Sequence, residues 1–132
     1  MAITGISHIG IVVPDLDIAI DLYRRRLGIV PGPLFESPEQ NVRLTQFDLG
    51  NARIELLSPV TLTGPIAAFL KRNPSGGLHH LSLSTDDITE TLADFESGGA
   101  ASISGPRCNV LGQTFAFIHP RYMAGVLLEL EG

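Results

Sequence analysis

Displaced along itself by 72 positions, the chain sets His8 on His80, Ile9 on Leu81, Ile11 on Leu83, Asp15 on Asp87 and Leu16 on Ile88. Displaced by 74, it sets Ile54 on Leu128, Glu55 on Glu129 and Leu56 on Leu130. No other feature constrains the fold as much, because both halves must be built from the same elements in the same order. Each half also carries one histidine near its start and one glutamate near its end.

Local patterns supply the elements. Ile6 to Val13 alternates and is rich in β-branched residues, which predicts a strand broken by Pro14-Asp15. Asp15 suits a helix N-cap, Ala19, Ile20, Tyr23 and Leu27 recur at helical spacing, and Gly28 suits a left-handed stop, so a helix is expected over Leu16 to Leu27. Strands are expected at Ile29 to Glu36, Val42 to Leu49 and Arg53 to Ser58, the last two joined at Gly50-Asn51. Pro65 opens a short helix through Leu70 inside a connecting segment. The second half repeats the plan. It has a strand from Leu78 to Thr85, a helix with Ile88, Leu92 and Phe95 inward and Gly98-Gly99 as its stop, then strands near Ala100 to Ser104, Gln113 to His119 and Val126 to Glu131. The expected class is α+β. Two βαβββ modules, about residues 4–58 and 78–132 and joined by 59–77, pack about a pseudo-twofold axis into one curved, cup-like mixed sheet, a single domain over 1–132.

Strand alternation separates polar from apolar faces. His8 shares its face with Gly10 and Val12, while Ile9, Ile11 and Val13 point under the helix. His80 shares its face with Ser82 and Ser84, and Glu55 and Glu129 interrupt strands whose other faces are Ile54-Leu56 and Leu128-Leu130. In the concave face of such a sheet, His8, Glu55, His80 and Glu129 converge as two imidazoles and two carboxylates, a ligand set for one divalent metal ion. Mixed nitrogen and oxygen donors suit Co²⁺, Ni²⁺, Zn²⁺ or Mn²⁺ better than Ca²⁺ or Mg²⁺. His79 points the other way and reads as structural; His119, beside Pro120, reads as a turn residue.

Composition closes off other classes. A formal net charge of −5 without a basic stripe argues against a nucleic-acid partner. Arg24-Arg25-Arg26 reads as a solvated helix face, and Lys71-Arg72 as a solvated helix end that could also meet phosphates. No apolar run reaches the roughly 20 residues of a membrane span, and the first residues lack the pattern of a signal peptide. Cys108, the single cysteine, fits a reducing compartment as a buried or inert thiol. A cytoplasmic address without membrane association is the expectation.

The motifs His8-Ile9-Gly10-Ile11-Val12-Val13-Pro14-Asp15-Leu16, Ile54-Glu55-Leu56-Leu57-Ser58-Pro59, Gly64-Pro65-Ile66-Ala67-Ala68-Phe69-Leu70, Gly77-Leu78-His79-His80-Leu81 and Phe117-Ile118-His119-Pro120, followed by Gly125-Val126-Leu127-Leu128-Glu129-Leu130, resemble the vicinal oxygen chelate (glyoxalase) superfamily, and within it the methylmalonyl-CoA epimerases. The resemblance covers nearly the whole chain. It implies a metal-dependent isomerase that interconverts the epimers of methylmalonyl-CoA, or a close 2-substituted malonyl-CoA, by proton transfer at C2 through a stabilised enolate. It also implies Co²⁺ as the favoured ion, an acyl-CoA as substrate, a homodimer, and Glu129 as both metal ligand and proton-transfer residue. One position departs from the pattern: where some members carry a second catalytic glutamate this chain has Leu44, and Gln46 on the same face is not a base. The loop Cys108-Asn109-Val110-Leu111-Gly112 departs as well.

Three rival readings share the fold. A lactoylglutathione lyase has the same ligand set but is not expected to carry Leu57-Ser58-Pro59 or the Gly64-to-Leu70 helix. A metal-free binding protein does not need all four ligands. An extradiol dioxygenase takes two histidines and one carboxylate and keeps other positions open.

Overall fold

A computed structural model describes residues 2–132; Met1, at the start of the stretch read as lacking a leader, lies outside the described residues. The elements run β1 (Ile3–Val12), α1 (Leu16–Leu27), β2 (Phe35–Ser37), β3 (Val42–Asp48), β4 (Arg53–Pro59), α2 (Pro65–Arg72), β5 (Gly77–Thr85), α3 (Ile88–Ser97), β6 (Arg107–Cys108), β7 (Thr114–Ile118), a 3₁₀ turn (Pro120–Tyr122) and β8 (Leu128–Glu131). The β-α-β-β-β order thus occurs twice, with α2 between the copies. Two compact units are present, one of residues 9–79 and one of residues 2–8 with 80–132, so that β1 and β5 each contribute to both.

In the 9–79 unit the strand order is β2-β3-β4-β1. β2, β3 and β4 are antiparallel, in a register that sets Gln46 opposite Glu55 and Leu44 opposite Leu57. Helix α1 starts where Asp15 accepts a hydrogen bond from the Ile18 amide at 3.0 Å, and it ends at Gly28, whose φ of 66° is the left-handed conformation that glycine adopts without a Cβ clash. Its inner face buries Leu16 and Ala19 against Val13, Phe47 and Leu56. Each large side chain in such a core stabilises the fold by about 1.5–3 kcal/mol relative to exposure. Gly76 permits a close approach: a Cβ there would lie 2.3 Å from the Val12 carbonyl oxygen, at a φ of +80°.

In the other unit the order is β1-β5-β8-β7-β6, with β8 parallel to β5 and antiparallel to β7. Helix α3 repeats the capping of α1 in kind and in distance, because the Asp87 side chain accepts from the Glu90 amide at 3.0 Å. Buried Thr91 donates to the Asp87 carbonyl at 2.8 Å and ties the cap down. The core consists of Ile118, Leu128 and Leu130, with Leu81, Leu83, Ile88, Leu92 and Phe95 packed on it. The aliphatic residues that alternate with Glu129 and His80 therefore do pack toward the helix, as the pattern predicts.

Three local expectations are corrected. The strand expected over Ile29 to Glu36 shrinks to Phe35–Ser37, preceded by an isolated bridge from Pro31 to Phe47. Pro31 and Pro33 have no amide hydrogen to give to a ladder. The strand expected near Ala100 to Ser104 is a single bridge between Ser102 and Ile118, and the pairing strand lies further on, at Arg107–Cys108. There the Asn109 side chain accepts from the Leu111 and Gln113 amides, both at 2.9 Å, and closes a hairpin within what reads as a plain loop. Cys108 is exposed on this hairpin, which overturns the buried alternative of the expected buried or inert thiol. Among the described residues no helix is long and apolar enough to cross a membrane.

Candidate metal centre

Three neighbouring strands of one unit each deliver one donor: His8 from β1, His80 from β5 and Glu129 from β8. Glu129 lies in register with Ser82 on β5 and Phe117 on β7. Since Leu128 and Leu130 are committed to the α3 core, the intervening glutamate must take the opposite face. The exposures are 2% for His8, 7% for His80 and 5% for Glu129, so none is an ordinary surface residue.

Their donor atoms meet at one point. His8 Nε2 lies 3.0 Å from His80 Nε2 and 3.1 Å from Glu129 Oε2, and His80 Nε2 lies 3.1 Å from that same oxygen. The two imidazoles meet edge to face with centroids 5.1 Å apart, and Phe117 contacts the His80 ring in the same way at 5.6 Å. Phe115 backs Phe117 at 5.8 Å, so one wall of the site is aromatic. Burial by itself would raise the Glu129 carboxyl, but hydrogen bonds from His8 and His80, together with their charge, outweigh it and lower the group from 4.5 to about 2.

Two nitrogens and an anionic oxygen within 3.1 Å of one another fit a borderline divalent cation, with each residue offering one atom. Without a cation, protons must hold the three together. With one, they are displaced.

Glu55, the fourth residue of the predicted set, belongs to the 9–79 unit. It is 8% exposed on β4, and its Oε2 accepts from Gln46 Nε2 at 2.8 Å. Leu44 is buried two residues before Gln46.

The histidines set aside in the sequence have structural work. His79 meets Phe69 of α2 edge to face at 5.1 Å, and His119 Nδ1 accepts from the Arg121 amide at 3.0 Å, capping the 3₁₀ turn. Arg24 and Arg25 both hold Asp21 at 2.8 Å, and Lys71 and Arg72 are exposed at the end of α2.

Two contributors escape the sequence pattern. Ser7 and Glu131 are both buried, and Ser7 Oγ donates to Glu131 Oε1 at 2.7 Å while lying 3.1 Å from His8 Nδ1. Glu131 had one available signal, since it follows Glu129 by two residues and so shares its face.

Residues 7–117 match the family model described as Glyoxalase/Bleomycin resistance protein/Dioxygenase superfamily. Over 128 residues the chain is 36% identical to an ethylmalonyl-CoA/methylmalonyl-CoA epimerase of Cereibacter sphaeroides, covering 96% of each chain. It is similar to the crystal structure of methylmalonyl-CoA epimerase from Mycobacterium tuberculosis, with a TM-score of 0.91 at 30% identity over 98% of this chain and 87% of the other. A Streptomyces coelicolor methylmalonyl-CoA epimerase variant in complex with 2-nitronate-propionyl-CoA gives a TM-score of 0.91 at 29% identity, over 98% of this chain and 97% of that one.

Proposed function

Because the chain belongs to the Glyoxalase/Bleomycin resistance protein/Dioxygenase superfamily, we propose that it is a metal-dependent epimerase of methylmalonyl-CoA or a close 2-substituted malonyl-CoA. The observation that carries the proposal is the meeting of His8 Nε2, His80 Nε2 and Glu129 Oε2 within 3.1 Å, in a chain related to such epimerases over nearly its full length. Glu55, the counterpart of Glu129 in the repeat, is proposed as the fourth ligand; the support is that correspondence and the burial of the residue. Co²⁺ is the proposed ion, on the mixed donor set and the family resemblance. A cytoplasmic homodimer is the accompanying proposal, on the same resemblance.

Glu129 acts on the proton at C2. One of its oxygens, Oε2, faces both histidines, so in this proposal the other, Oε1, takes the proton. Held at about 2, this carboxylate is a weak base. It can remove a carbon-bound proton only where the electron pair left on C2 is drawn into the thioester carbonyl and the resulting enolate is stabilised. That stabilisation is the chemistry that a divalent cation held by His8, His80 and Glu129 would supply, as a Lewis acid. Phe117 covers one side of the His80 ring, and a site shielded from water in this way strengthens the local electrostatics. A proton from solvent water, returned to the opposite face of the planar carbon, inverts it, and the proton held by Glu129 is released to solvent.

The test begins with one pure epimer of methylmalonyl-CoA and follows the other. Co²⁺-loaded protein should bring the two to equilibrium, and chelator-stripped protein should not. Fully loaded protein that interconverts no epimer would refute the proposal, and the glutathione hemithioacetal of methylglyoxal would be the next substrate to try.

A further inference from the structure

Behind His8, on the side away from Glu129, lies a second polar pair that the proposed chemistry does not use. Ser7 and Glu131 stand 124 residues apart in the chain, yet Ser7 Oγ donates to Glu131 Oε1 at 2.7 Å. A serine hydroxyl carries one proton. Once that proton is given to Glu131, the 3.1 Å approach of the same oxygen to His8 Nδ1 can only be an acceptance, so Nδ1 must carry the hydrogen. Glu131 Oε2, 3.8 Å from His8 Nδ1, adds a favourable field to that N–H. In the neutral ring the opposite nitrogen, Nε2, is then left as a lone pair that accepts from His80 Nε2–H at 3.0 Å; the hydrogen bond that His8 gives Glu129 belongs to the charged ring, in which both nitrogens carry a proton.

We propose that Ser7 and Glu131 are positioning residues for His8, forming a relay from Nδ1–H through the Ser7 hydroxyl to the Glu131 carboxylate. The relay fixes both the ring orientation and the tautomer that can bind a metal. This proposal rests on the metal reading of the site. A carboxylate that orients a ligating histidine through its second nitrogen is a general device, and loss of such a partner lowers metal affinity by about 10–100-fold. Here the carboxylate acts through a serine, and it comes from the strand that also supplies the ligand Glu129. One short segment of β8 therefore provides both a donor and the support of another donor.

Two measurements on the full chain test the relay. The first is a long-range ¹H–¹⁵N correlation spectrum of the metal-free protein at alkaline pH, where the ring is neutral and the protonated nitrogen of His8 can be read directly. The second is the Co²⁺ dissociation constant by calorimetry for wild type, Glu131→Gln, Ser7→Ala and the conservative Ser7→Thr. The expected results are an Nδ1–H tautomer for His8 in wild type and Ser7→Thr, loss of that single tautomer in Ser7→Ala, and affinity lower by about 10–100-fold in Ser7→Ala and Glu131→Gln. An Nε2–H tautomer in the wild type, or variants that bind Co²⁺ within twofold of it, would overturn the relay. Wild-type protein that binds no divalent cation would overturn the metal reading instead, and the spectrum would still decide the tautomer.

Discussion

His8 Nε2 and His80 Nε2 lie 3.0 Å apart, a separation at which two ring N–H groups cannot point at each other. One proton, or one cation, must stand between them and the Glu129 oxygen that both approach. Removing either imidazole therefore removes a donor and leaves a buried carboxylate short of a partner. His80→Ala should lower Co²⁺ affinity by more than about 100-fold, a loss larger than that from a supporting residue. His79→Ala, whose ring packs on Phe69, should bind as wild type does. Calorimetric titration of both variants checks this, and equal retention would show that the 72-residue register is wrong.

Protons and metal compete for the same lone pairs, so cation affinity should fall as pH falls, with proton release measurable on binding. The metal-free protein has its own acid dependence. The Glu129 carboxyl is lower in the folded state, at about 2 against 4.5. The stability it contributes is fully present above 4.5 and is lost as pH falls through about 2. In chelator-stripped protein, the difference in urea-unfolding free energy between wild type and Glu129→Gln should shrink across that window, by an amount on the order of 3 kcal/mol.

Leu44 is buried at the position that the family resemblance assigns to a second catalytic glutamate. If Glu129 is the acid–base residue on one face, then with no titratable side chain at residue 44 deuterium should enter the epimer that presents C2–H to Glu129 faster than the epimers interconvert. Leu44→Glu should narrow that gap. Parallel chiral and mass analysis of a single reaction in D₂O measures both rates, and equal rates in the wild type would contradict the prediction.

Phe47 is fully buried where α1 meets β3 and β4, stacked on Tyr23 at 6.1 Å. Phe47→Ala should cost about 3–5 kcal/mol in denaturant unfolding. The equivalent change at exposed Leu62 should cost less than about 0.5 kcal/mol.

What the sequence makes legible is local or repeated. Asp15 and Asp87 announce two helix starts, and the structure gives both the same 3.0 Å cap. The candidate metal donors His8, His80 and Glu129 are legible because each interrupts an alternating apolar strand at a position its counterpart shares. The misreadings fall where one segment's structure depends on a distant partner. Ile29 to Leu34 has strand-like residues, but Pro31 and Pro33 deny it a ladder, and the choice between Ala100–Ser104 and Arg107–Cys108 as the pairing strand is settled by β7. The Ser7–Glu131 pair joins the two ends of the chain, a relation that no periodicity encodes.

The central claim, that Glu129 transfers the C2 proton at a metal centre, is tested most directly by deuterium uptake at C2 of methylmalonyl-CoA, followed by mass spectrometry. Co²⁺-loaded wild type would be compared with chelator-stripped protein and with Glu129→Gln. Exchange is expected in the loaded wild type, and its loss in both comparisons. Exchange that persists in Glu129→Gln at wild-type rate, or none from fully loaded wild type, would contradict it.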